Sequence, residues 1–129
     1  MIVVDTNVMV YLLTGSGQKG ESAARLLVKD SEWVAPPILL SELQNVVVGF
    51  LRSGWIHRSD AVEICEEARQ ILSHRMATVP SVEVLDTAID CELSAYDAEF
   101  VVLARRLAVP LVTADEGILA GASDVAIPL

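Results

Sequence analysis

Basic residues are scarce in this chain: Lys and Arg number 9 against 18 Asp and Glu, leaving a formal charge of −9. Taken at face value, that deficit argues against a nucleic-acid partner, because phosphate backbones need positive charge opposite them. Cysteine is nearly missing too. Cys65 and Cys91 stand far apart with no CxxC or Cys/His spacing, so they read as two reduced thiols rather than a disulfide or a zinc site. His57 and His74 are equally isolated, which leaves little basis for a histidine ligand set. No segment approaches the ~20 uninterrupted apolar residues of a membrane span. The first apolar run is cut by Asp5 and has no basic stretch before it, unlike a signal peptide, so the expected compartment is the cytoplasm. Internal repeats, low-complexity tracts and long linkers are also missing.

What remains is globular composition, 53% apolar and 21% charged over 129 residues, expected to fold as one domain spanning 1–129. Ile2 to Val4 is β-branched and does not alternate with polar residues, as a strand buried in a parallel sheet prefers. Val8 to Leu13 and Ser22 to Lys29 read as helices on either side of a glycine-rich loop. "WVAPP" is a short strand stopped by Pro36 and Pro37, and Pro37 suits the first turn of a helix running to Gly54. That helix is apolar around most of its circumference and calls for cover from the core and from a partner chain. "SDAVEICEEARQIL" is amphipathic, with Asp60 to Glu63 shaped like a capping box. "MATVP" predicts a second short strand, and Ser81 opens a helix. Ser94 to Asp97 repeats the capping pattern, "VPLVTAD" is a strong apolar strand, and a last strand falls near "DVAIPL". Short apolar strands alternating with helices predict an α/β fold with an open, mostly parallel sheet, whose ligands bind at the carboxyl ends of the strands.

Four acidic residues stand out against that frame. Asp5 and Asp115 end the first and penultimate predicted strands, and their side chains meet if those strands are neighbours. Each also has a plainer explanation, since an Asp after a strand commonly caps the next helix. Glu42 has Ile38, Leu39 and Val46 as helical neighbours, so it stands inside an apolar stripe; an ionised carboxylate there needs something positive nearby. Asp97 sits where it returns a hydrogen bond to its helix cap, and backbone N–H groups at that terminus favour its ionised form. If the four converge, they stay ionised only around a cation, and an all-oxygen donor set suits Mg²⁺ or Mn²⁺ rather than zinc. A bound cation then turns part of the acidic excess into a device for holding phosphate.

The segments "VVDTNVMVYLL", "SELQNVV", "AYDAEFVVLARRL" and "LVTADEGIL" resemble, in order and approximate spacing, the acidic motifs of PIN domains. The nearest likeness is to the VapC-type ribonuclease toxins of toxin–antitoxin pairs, and it covers essentially the whole chain. The resemblance implies a three-layer α/β/α fold and a metal-dependent endoribonuclease acting on RNA. It also implies a homodimer, silenced by an antitoxin whose tail lies across the active groove. Carried over by motif, the catalytic and metal-holding set is Asp5, Glu42, Asp97 and Asp115, supported by Asn7 and Thr113. RNA contacts beyond the metal fall to arginines such as Arg52, Arg58, Arg105 and Arg106. Two rival readings stand beside this one. A PIN-like fold kept for partner binding, with little catalysis, would suit the apolar helix 37–53. An aspartyl-phosphate phosphohydrolase using Asp5 would need a second acid where this chain has Asn7.

Overall fold

The computed structural model describes residues 1–15 and 17–129. Its centre is a four-stranded sheet built from β1 (Ile2–Val4), β2 (Trp33–Val34), β3 (Leu111–Thr113) and β4 (Ala126–Pro128). The spatial order is β2-β1-β3-β4, and every pair runs parallel. Val3 pairs with both Val34 and Leu111, so β1 lies inside the sheet with neighbours on both sides. Its three residues are all buried, which accounts for an apolar run without alternation. Pro128 falls on the edge strand β4, where a missing N–H costs the ladder least.

Among the described residues, seven helices cover the sheet: α1 (Thr6–Thr14), α2 (Gly17–Lys29), α3 (Ile38–Arg52), α4 (Arg58–Leu72), α5 (Ser81–Cys91), α6 (Ala95–Leu107) and α7 (Glu116–Gly121). The result is the three-layer α/β arrangement expected from the sequence. The main core gathers Val3, Val4, Trp33, Leu39, Phe100 and Leu111 from the sheet and the helices packed on it. α6 supplies much of it, burying Phe100, Val101, Leu103 and Ala104 along one side. The C-terminal end of α7 lies so close to α5 that a Cβ on Gly121 would stand 2.4 Å from the carbonyl oxygen of Cys91. Only glycine permits that approach. Among the described residues, no helix is long and apolar enough to cross a membrane.

Several boundaries differ from the sequence reading. "MATVP" does not form a strand: Met76 makes only an isolated bridge to Ala35. Two backbone hydrogen bonds through Ala35 hold the segment there, and the Arg75 guanidinium adds to them by donating to the carbonyls of Ser31, Trp33 and Ile71. α4 begins at Arg58 and its cap is His57, three residues ahead of the cap expected at Asp60; the His57 backbone N–H donates to Asp60 Oδ2 at 2.9 Å. Asp60 thus closes the box instead of opening it, because the acid prefers the third helical position. α2 starts at Gly17 rather than Ser22.

Candidate active site

Because β1 and β3 are parallel neighbours, their carboxyl ends share one edge of the sheet, and Asp5 and Asp115 follow them there. Asp5 is the N-cap of α1: its Oδ1 accepts from the Thr6 backbone N–H at 2.7 Å. Its Oδ2 accepts from the Thr113 hydroxyl at 2.6 Å and from Asn7 Nδ2 at 3.2 Å. Thr113 in turn accepts from the backbone N–H of Asp115 at 3.0 Å, so one buried hydroxyl couples the ends of two strands. The Asn7 amide oxygen accepts from the Ala114 N–H at 3.3 Å, which fixes its orientation. Asp115 caps α7, accepting from the Ile118 N–H through Oδ1 at 2.9 Å. The capping role of both aspartates is therefore real, and in Asp115 it engages one carboxylate oxygen and leaves the other open.

Glu42 comes from α3 and Asp97 from the first turn of α6. Together with Asp5 and Asp115 they line a single cavity of about 620 Å³. Four carboxylates separated along the chain thus line one cavity. Glu42 departs from expectation in its surroundings. It is half-buried, and its partner is neutral: the Thr6 hydroxyl donates to Oε1 at 2.7 Å. Among the described residues, no side-chain cation bonds to it. Thr6 is the residue that the sequence reading missed; the only local hint was a hydroxyl directly after the capping Asp, with no sign of a partner in another helix.

The electrostatics follow from this crowding. Burial raises the Asp5 carboxyl from its ordinary 3.8 to about 6, against the pull of the Thr113 and Thr6 hydrogen bonds and with added repulsion from Asp97 and Glu42. Glu42 is raised by burial and by the nearby Asp97 and Glu99 charges. Asp97 is raised by burial and then by Asp115. No Lys or Arg lines the cavity. None of the arginines named from sequence is in that lining: Arg105 is held bidentately by Asp124, both contacts at 2.9 Å, and Arg106 pairs with Glu83 at 2.6 Å.

As placed, no three acidic, histidine or cysteine side chains among the described residues stand close enough to close on one ion. The donor chemistry nonetheless fits a hard divalent cation. The lining offers oxygen donors, four carboxylates beside hydroxyls and amides, with no His or Cys among them, and the carboxylates carry mutual repulsion that such a charge relieves. The phosphohydrolase alternative fares worse. Both Asp5 oxygens are engaged, the residue is 5% exposed, and Asn7, not an acid, is bonded to it in the position where that chemistry needs one.

A PIN domain model matches residues 2–123, and the chain belongs to the PIN domain family. PIN domains are in general nucleases and typically use divalent metals, so this is a fold of hydrolases acting on nucleic acids. Solved structures share the architecture. PAE2754 from Pyrobaculum aerophilum superimposes with a TM-score of 0.77 at 22% identity, covering 98% of this chain and 89% of that one. The structure of FitAB bound to an IR36 DNA fragment gives 0.74 at 17% identity, covering 99% and 94%. FitAcB from Neisseria gonorrhoeae gives 0.70 at 18%, covering 100% and 97%. No curated protein sequence matches the chain.

Proposed function

We propose that this protein is a Mg²⁺- or Mn²⁺-dependent endoribonuclease, acting as the VapC-like toxin of a toxin–antitoxin pair in the cytoplasm. The observation that carries the reading is the convergence of Asp5, Glu42, Asp97 and Asp115, brought from four elements into one cavity without a Lys or Arg among its lining residues. These four would hold the ion. When bound, it supplies the positive charge that attracts a phosphodiester and polarises the attacking water. The chain's own groups do the rest. Thr113, Asn7 and the Thr6 N–H hold the Asp5 carboxylate in one orientation, while the Thr6 hydroxyl holds Glu42. These contacts hold Asp5 and Glu42 in place before the ion arrives, and Asp97 and Asp115 would move in to complete its shell.

Similarity to FitAB and FitAcB supports a protein partner of the antitoxin kind. A homodimer is supported by α5, where Val82, Leu85 and Ile89 form an exposed apolar stripe at helical spacing. The decisive experiment incubates the purified protein with total RNA. Cleavage is expected with Mg²⁺ or Mn²⁺ and is lost in excess chelator and in a folded Asp97→Asn variant. Full cutting in either control would overturn the scheme.

A further inference from the structure

A second cavity, of about 360 Å³, opens beside the acidic one at the same edge of the sheet. Thr113 and Ala114 at the end of β3 line it, with Lys19 from α2 and Glu116 and Leu119 from α7. The two cavities adjoin at two places. Thr113, which lines the second, donates its hydroxyl hydrogen bond to Asp5 in the first. Lys19 of the second touches Tyr11 of the first: its ammonium donates to the phenol oxygen at 3.3 Å and lies 5.0 Å from the ring centroid.

Lys19 is the sole Lys or Arg among the residues that line either cavity. Its charge is held without being cancelled. A ring face and a neutral hydroxyl fix the ammonium, and no carboxylate pairs with it among the described residues. Glu21, two residues on, is drawn instead to Arg25 at 3.9 Å. The fold also fixes where the lysine stands. Gly20 is buried against Gly15, the cap of α1, so closely that a Cβ would lie 2.7 Å from the Gly15 carbonyl carbon. Only glycine permits that packing of α2 on α1, and the packing sets Lys19 over Tyr11.

In the nuclease reading, the scissile phosphate sits with the ion in the acidic cavity, and the next phosphate of the strand still calls for a cation. The second cavity is large enough for a nucleotide-sized group. Glu116 repels a phosphate from the α7 side, which leaves the α2 side, where Lys19 stands. We propose that Lys19 anchors the phosphate adjacent to the scissile one, in the second cavity, with Tyr11 as its positioning residue. This rests on the nuclease reading above and adds a substrate-binding residue outside the acidic set.

The test uses the full-length protein and one labelled RNA strand. Steady-state cleavage is followed with Mn²⁺ and binding by anisotropy in chelator, each across a series of KCl concentrations. Wild type is compared with Lys19→Gln, Lys19→Arg, Tyr11→Phe and Lys29→Gln, and circular dichroism checks that each is folded. Lys19→Gln should raise KM roughly 3- to 20-fold with kcat little changed, and weaken binding in parallel. It should also flatten the slope of log affinity against log salt by about 0.7, the signature of one phosphate contact on a single strand. Lys19→Arg keeps the charge and should keep the slope. Tyr11→Phe keeps the ring and loses the hydroxyl contact, so KM should rise by less and the slope should stay. Lys29→Gln removes the same charge from the far, exposed end of α2 and should change neither.

A Lys19→Gln variant with wild-type KM and slope, or a Lys29→Gln variant that shifts both as much, would overturn the anchor while leaving the nuclease reading intact. If wild type cuts no RNA, the nuclease reading falls and binding in chelator decides the anchor. A slope flattened by Lys19→Gln upholds it; an unchanged slope, or no binding, overturns it.

Discussion

The Asp5 carboxyl makes the metal-free protein pay for its site in a pH window that can be measured. Its folded-state value of about 6 lies above the ordinary 3.8, so the folded protein binds this proton more tightly than the unfolded chain does. The associated stability is fully present below about pH 4 and is lost as pH rises through 6. At 1.36 kcal/mol per tenfold change in proton affinity, the ionised form costs about 3 kcal/mol above pH 7. In a chain of this size that corresponds to a fall in melting temperature on the order of 10 °C. Glu42 and Asp97 are raised too and push the same way, whereas Asp30 and Asp124 are lowered by their partners and lose stability only at more acidic pH. The wild-type profile alone therefore mixes several groups. The difference between wild type and Asp5→Asn isolates one. Urea unfolding of both proteins in chelator, from pH 4.5 to 8, should show the wild type losing about 2 kcal/mol of those 3 relative to the variant between pH 4.5 and 7.5, the rest having been lost below pH 4.5. The rearranged hydrogen bonds of the amide add a constant offset, so only the slope is read. Mn²⁺ should remove the loss in the wild type, because a cation favours the ionised carboxylate. A wild-type-minus-variant difference that stays flat across the window would refute the burial argument.

Thr113→Val keeps the shape of a fully buried side chain but removes the hydroxyl between Asp5 and the Asp115 N–H. It should cost about 2–3 kcal/mol in denaturant unfolding and reduce Mn²⁺ affinity in calorimetry. Gly121→Ala drives a methyl into the Cys91 carbonyl and should destabilise by about 1–3 kcal/mol, read from thermal unfolding. Leu85→Asp places a charge in the exposed stripe on α5 and should turn a dimer into a folded monomer in sedimentation velocity, with the far-ultraviolet spectrum unchanged.

The order of strands and helices was legible because each rests on local signals. β-branched runs at 2–4 and 111–113, prolines after residue 35, and the Ser94 cap each act within a few residues of themselves. Boundaries were less so. "MATVP" carries strand-like residues, yet only one bridge forms, and α4 was displaced by a cap that begins on a histidine. The acidic residues were also visible, as residue types that sit badly in their own surroundings. Glu42 was the instructive case: its apolar neighbours signalled a strained carboxylate, and the neutral hydroxyl that meets it comes from α1.

Composition and pattern by themselves determined the layered α/β class and singled out the four carboxylates as candidates, since both follow from periodicity and from side-chain chemistry at single positions. Only the tertiary structure decided which groups face one another: Thr113 against Asp5, Thr6 against Glu42, and two tyrosines rather than the arginines beside the acids. The reason is topological. Setting β1 between β2 and β3 brings together residues more than a hundred positions apart, and no local preference along a chain encodes which strand lies next to which.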